Sequence, residues 1–339
     1  MLRLPKFDVA SPDTVDAAVA LLEEHGEEAM LVAGGTDLVP NMKHELFTPK
    51  VVVSLGNIPE LTGVRRADDG TLVVGAMTTL DALAADDDVQ AHAPALTQAA
   101  SLIAGPQLRR MGTLGGNVML DTRCQWYNQT HFWREALGFC LKKDGTVCHV
   151  VAGGKNCVAA ASNDTAPTLM TLGATLVFQG ARGKREVLID ELWQSDGIYN
   201  KKVRGEVLTE VRIPAQAKGH RGAYGKLRER GSIDFPLFGV AVRLDLDDAG
   251  AVAAADVCAV ALQAKPVRVR KASDLLRGTT PGTPAFDEAV AEVAQRAEKQ
   301  CRPLDNVPGE AAYRHAMVPV YTRRTLLAAA AGEGPVHHL

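Results

Sequence analysis

Apolar and polar positions alternate at helical and strand spacing over most of the chain. Val15, Val19 and Leu22 make a helical stripe, with Ser11 placed to cap it and Pro12 suited to its first turn. Asp13 and Asp16 favour the positive end of that helix, and Gly26 can close it. The run Met30-Leu31-Val32-Ala33 predicts a strand that enters Gly34-Gly35-Thr36-Asp37, and a helix follows over 38–45. Val51-Val52-Val53-Ser54-Leu55 reads as a buried strand.

A new unit starts near Pro59. Leu72-Val73-Val74-Gly75-Ala76 predicts a strand, Thr79 caps a helix through Leu80 and Leu83, and another helix runs over 94–103 to Gly105-Pro106. A second glycine-rich turn follows, Gly112-Thr113-Leu114-Gly115-Gly116-Asn117. Further on, 174–178, 206–213, 224–228, 235–246 and 252–262 read as strands. The segments 284–300 and 311–330 read as helices, the second kinked at Pro319. Breaks at Gly56-Asn57 and 216–219 divide the chain into units 1–57, 58–216 and 217–331, a mixed α+β arrangement.

One stretch obeys neither period. Between 120 and 158 stand Cys124, Cys140, Cys148 and Cys157, two tryptophans, Tyr127, His131, Phe132 and His149. A loop of this length is uncommon unless it is functional or tied down.

Composition adds bounds rather than identity. With 339 residues, 46% hydrophobic and 23% charged, the chain has the profile of an ordinary globular protein of two or three packed units. A net charge of -3 gives no electrostatic reason to expect nucleic acid or an anionic membrane as partner. No apolar run approaches the ~20 residues of a membrane span, and the first eight residues lack a signal-peptide core. The expected compartment is the cytoplasm, where the six cysteines read as reduced thiols or metal ligands.

Glycines after a strand let backbone approach a ligand, and a following helix start offers free N–H groups to phosphate. The first turn is therefore either an anion cradle or a plain strand-to-helix turn with Thr36 or Asp37 as cap. The second turn carries the same two readings, and together the turns could grip one dinucleotide. The four clustered cysteines could hold an iron–sulfur cluster or zinc, or be buried thiols, since no C-x-x-C decides. Taken singly, Lys226 reads as a solvated strand residue and Asp164 as a helix cap before Pro167. No nucleophile–base set or carboxylate pair stands out, so no catalytic residue is assigned.

The order of Ala33-Gly34-Gly35-Thr36-Asp37-Leu38, Thr113-Leu114-Gly115-Gly116-Asn117, Asp164-Thr165-Ala166-Pro167, Lys226-Leu227-Arg228 and Asp234-Phe235-Pro236 resembles the FAD-binding medium subunits of the xanthine dehydrogenase and CO dehydrogenase family. Tyr313-Arg314-His315-Ala316-Met317 and Arg323-Arg324-Thr325-Leu326-Leu327 look like that family's closing helices. The resemblance implies a two-part FAD domain of the vanillyl-alcohol-oxidase type followed by a CO dehydrogenase flavoprotein-like C-terminal α+β domain. It implies FAD contacts at Leu31, Val32, Ala33, Gly34, Gly35, Thr36, Asp37, Leu38, Ile103, Thr113, Leu114, Gly115, Gly116, Asn117, Asp164 and Lys226. Asn163 stands where family members often have Gly or Ser.

The 120–158 loop resembles the insertion of 4-hydroxybenzoyl-CoA reductase β subunits, through Asp121-Thr122-Arg123-Cys124, Tyr127-Asn128-Gln129, Cys140-Leu141-Lys142, Cys148-His149-Val150 and Cys157. That likeness implies a 4Fe-4S cluster on Cys124, Cys140, Cys148 and Cys157. It further implies a large molybdopterin subunit, a small subunit with two 2Fe-2S clusters, and a ferredoxin-like donor. The chain itself is then an electron relay. Cys258 and Cys301 have no counterpart in the cluster and read as packing residues.

Overall fold

The computed structural model describes residues 2–198 and 200–337. Three sheets follow one another along the chain. Strands β1 (Asp8–Ala10), β2 (Ala29–Val32) and β3 (Val51–Ser54) form a parallel sheet of order β1-β3-β2. The helix Val15–His25 covers it with Val15, Ala18, Val19 and Leu22, the stripe read from the sequence. Thr14 caps this helix, not Ser11: its hydroxyl accepts from Ala17 N at 3.2 Å. The cap moves because the first turn starts at Val15, three residues beyond Pro12.

The second sheet is antiparallel, with β4 (Val64–Arg66), β5 (Leu72–Gly75), β6 (Thr175–Gly180), β7 (Gly183–Leu188) and β8 (Val207–Ile213) in the order β4-β5-β8-β6-β7. About a hundred residues separate β5 from β6, and this long crossover carries both the second glycine turn and the cysteine loop. Helices Pro94–Ser101, Leu114–Val118 and Thr165–Thr171 pack their apolar faces into the core under the sheet.

The third sheet is antiparallel in the order β12-β11-β10-β9, from β9 (His220–Leu227), β10 (Phe238–Leu246), β11 (Val252–Val260) and β12 (Val267–Arg268). Helices Pro284–Gln300 and Ala311–Ala331 close one face. Pro319 lies inside the second helix without ending it. Cys258 and Val260 of β11 join the core beneath the second sheet, so the last unit is packed onto the middle one. Cys258 and Cys301 are fully buried, as packing residues should be. Among the described residues, no helix is long and apolar enough to cross a membrane.

Candidate flavin and cysteine site

The first glycine turn leaves β2 and ends on the short helix Leu38–Lys43. Leu31 and Val32 are its strand residues, Ala33 to Asp37 the turn, and Leu38 the first helical residue. Gly35 has φ +71°, a conformation that costs side-chain-bearing residues energy. A Cβ on Gly34 would stand 1.7 Å from the carbonyl oxygen of Met111, so this glycine lets the two turns touch. Among the described residues, none of the peptide N–H groups from Ala33 to Asp37 meets a protein acceptor. The turn therefore presents donors with nothing of the chain to satisfy them. Asp37 stands at the cap position but makes no cap bond. Its carboxylate instead accepts from Asn41 Nδ2 at 3.0 Å and pairs with Arg123 at 2.9 Å. Burial pushes its pKa up, against the pull of Arg123.

The second turn differs in kind. It is the start of the helix Leu114–Val118, with Thr113 as cap through a 3.0 Å bond from Gly116 N. Leu114 N donates to Thr78 O and Gly115 N to Ala76 O, so its amides are already used. A Cβ on Gly115 would meet Ala76 O at 2.7 Å, whereas Gly116 is exposed. The expectation that both turns offer free amides holds for the first only. The second contributes bare backbone and the side chain of Asn117, whose Oδ1 accepts from Thr165 N at 3.1 Å and Thr165 Oγ1 at 2.6 Å.

Behind the turns lies a buried polar group that the local sequence did not announce. Lys226 of β9, read singly as solvated, is 0% exposed, and its ammonium lies 3.0 Å from Asp164 Oδ1 and 3.0 Å from Leu102 O. Tyr224 OH donates to the same carboxylate oxygen at 2.8 Å. Asp164 does precede the helix Thr165–Thr171, but it makes no side-chain cap bond because its carboxylate faces Lys226 and Tyr224. Burial pushes Asp164 up, opposed by Lys226, and burial beside Asp164 raises Tyr224 well above an ordinary phenol. Asn163 Nδ2 donates to Asn117 O at 2.7 Å and Val118 O at 3.1 Å, while its buried Oδ1 has no partner. That orphaned acceptor suits a bound donor group. Ile103 is committed internally: its carbonyl accepts from Arg109 at 3.0 Å and its N–H donates to Ala100 O.

The loop after the second turn holds one short helix, His131–Ala136. Cys124, Cys140, Cys148 and Cys157 all line one cavity of about 20 Å³, with Trp126, Tyr127 and His149 in its wall. Leu46 and Tyr127 pack beside the thiols, which seats the loop on the segment after the first turn. Val151 N lies 3.4 Å from Cys148 Sγ and Ala159 N 3.5 Å from Cys157 Sγ, so two of the thiols already accept from backbone amides. Burial raises the Cys124 thiol to about 12 and also raises Cys157. The buried Arg134 ties the loop down by donating to Glu45 O at 3.0 Å and Gln129 O at 3.3 Å.

A tetrahedral zinc at ~2.3 Å from each sulfur needs sulfurs about 3.8 Å apart. Among the described residues, no three His, Cys, Asp or Glu side chains gather into such a single-ion site. Four thiols converging on one cavity are a donor set of the kind that either an iron–sulfur core or a zinc ion uses. The cavity is near the space of one water, smaller than an iron–sulfur core.

A parallel sheet with a donor-rich glycine turn, a second turn laid against it, and a C-terminal sheet whose Lys226 pairs with Asp164 suit a subunit that holds a dinucleotide-type cofactor. Residues 5–216 match the model described as the FAD binding domain in molybdopterin dehydrogenase, and residues 222–329 match the CO dehydrogenase flavoprotein C-terminal domain. The chain belongs to this family and is a flavin-binding oxidoreductase subunit of the molybdenum hydroxylase type. It is 33% identical over 322 residues to the carbon monoxide dehydrogenase medium chain of Afipia carboxidovorans, covering 94% of this chain and 95% of that one. It is 31% identical over 246 residues to the xanthine dehydrogenase FAD-binding subunit of Escherichia coli O157:H7, covering 71% and 70%. The fold is similar to carbon monoxide dehydrogenase from Hydrogenophaga pseudoflava, with TM-score 0.79, 30% identity, and coverage of 98% of this chain and 100% of that one.

Proposed function

We propose that this chain relays electrons between FAD, seated on the turns 33–38 and 113–117, and a 4Fe-4S cluster on Cys124, Cys140, Cys148 and Cys157. The observation that carries the relay is the convergence of all four thiols on one cavity, in a loop whose first cysteine stands seven residues after Asn117. Bound FAD supplies exchange of one or two electrons, and the cluster supplies exchange of one. The chain's own residues bind and orient. The free amides of Ala33–Asp37 receive the pyrophosphate, Gly34 keeps the second turn close, and Asn163 Oδ1 accepts from the cofactor. Lys226 and Asp164 hold the floor of the cradle rather than its surface. Ile103 contributes apolar packing, since its backbone groups are taken.

The partners in this reading are a molybdopterin subunit, a subunit with two 2Fe-2S clusters, and a ferredoxin-like donor in the cytoplasm. The complex is of the 4-hydroxybenzoyl-CoA reductase type, with electrons flowing inward to remove a phenolic hydroxyl on the molybdopterin subunit. The cysteine loop supports this over the outward flow of a hydroxylase, because an additional cluster gives electrons a second entry. The relatives named for carbon monoxide and xanthine support the outward reading as its rival. Assay of the purified complex with 4-hydroxybenzoyl-CoA and a reduced viologen decides: benzoyl-CoA is expected, and its absence overturns the substrate assignment.

A further inference from the structure

The peptide segment leaving the second glycine turn is gripped from behind by side chains of distant parts of the chain. Asn163 Nδ2 reaches Asn117 O, Val118 O and, at 3.3 Å, Leu120 O. Lys202 Nζ donates to Met119 O at 2.7 Å and Leu120 O at 3.0 Å. Lys142 Nζ then takes Asp121 Oδ1 at 2.9 Å, Thr122 Oγ1 at 2.6 Å and Gly197 O at 2.7 Å. Four successive carbonyls, 117 and 118 in the five-residue helix and 119 and 120 just past it, thus each accept from Asn163 or Lys202. A helix this short has no cooperative stability of its own, so its orientation is set by its anchors: Leu114 N on Thr78 O and Gly115 N on Ala76 O at one end, the side-chain clamp at the other.

We infer that Lys202 is a positioning residue for the flavin: its ammonium fixes the carbonyl end of the helix Leu114–Val118 and thereby the attitude of the Thr113–Asn117 turn against the cofactor. This rests on the reading of that turn as part of the FAD cradle. Lys202 touches neither the turn's glycines nor the cysteines, and Asn163, the other clamp, cannot replace it at Met119 O. The charged form matters. Burial lowers Lys202 to about 8, Asp121 and Asp37 oppose this, and Lys142 adds to it. The ammonium is therefore given up at lower pH than an ordinary lysine's, near 8. An arginine at this position stays charged throughout.

The test uses the full chain in its purified complex, stripped of flavin and titrated with FAD from pH 7 to 9. Wild type is expected to bind FAD more weakly above pH 8. Lys202→Met keeps the apolar stem and should bind roughly tenfold more weakly at pH 7, the scale of a lost charged hydrogen bond. Lys202→Arg should restore affinity and flatten the pH profile. Lys202→Met with wild-type affinity and profile overturns the inference. So does Lys202→Arg with an unchanged wild-type pH dependence, which decides the matter even where Lys202→Met fails to fold. Gly116→Val separates the two levels. If it keeps FAD, the cradle reading falls and this inference with it. If it loses FAD while the Lys202 variants bind normally, only the positioning role falls.

Discussion

Replacing Lys226 by methionine leaves a carboxylate stranded in the interior. At 3.0 Å and an effective dielectric of 20, the Lys226–Asp164 attraction is about 5 kcal/mol before desolvation is counted. Removing one partner of a buried pair costs about 3–5 kcal/mol, because the remaining charge has no counterion. Asp164 keeps only the Tyr224 hydroxyl, and Leu102 O loses its donor. Burial already raises the Asp164 carboxyl, and without Lys226 it rises further. A carboxyl whose folded pKa lies above its unfolded value stabilises the fold at low pH and loses that contribution as pH rises through the folded value. Lys226→Met should therefore be most damaged at pH 8 and partly recover at pH 5.5. Asp164→Asn added to it should recover at pH 8 most of what was lost. The assay is urea unfolding followed by flavin fluorescence on the four members of the double-mutant cycle, compared by midpoint because several units need not unfold in two states. A double variant no better than Lys226→Met, or a Lys226→Met loss independent of pH, refutes the reasoning.

Gly34→Ala should abolish most FAD retention on gel filtration, because its Cβ would strike Met111 O at 1.7 Å and separate the turns. Arg134→Met should retain FAD but speed alkylation of the loop cysteines, since the bonds to Glu45 O and Gln129 O are lost. His92 is held neutral between Arg66 and Pro214 O (2.9 Å), and burial lowers its pKa. The unfolded chain binds that proton first, so stability falls as pH drops below about 6.5. His92→Gln should show a shallower fall in melting temperature between pH 7 and pH 5.

What the sequence disclosed and what it hid differ in range. The stripe Val15, Val19, Leu22, the glycine turns and the cysteine loop are local patterns, and periodicity or its absence finds them. Lys226 is not local. It meets Asp164 across 62 positions, on a strand whose pattern fits a solvated lysine as well as a buried one. Asp164 and Asp37 have the residue type of helix caps, yet tertiary partners take both side chains away from that role. Lys202 and Arg134 carry no sequence signal. Their targets are main-chain carbonyls, which every residue possesses.

An electron relay between flavin and a cluster in one chain requires iron and sulfide bound by the loop cysteines. Iron and acid-labile sulfide content, with EPR of the dithionite-reduced complex, should be compared between wild type and Cys140→Ser/Cys148→Ser. The double variant is expected to lose about four irons and four sulfides and one reduced-cluster signal, with FAD content unchanged. Equal iron in both proteins, or a single zinc lost in place of iron, contradicts it.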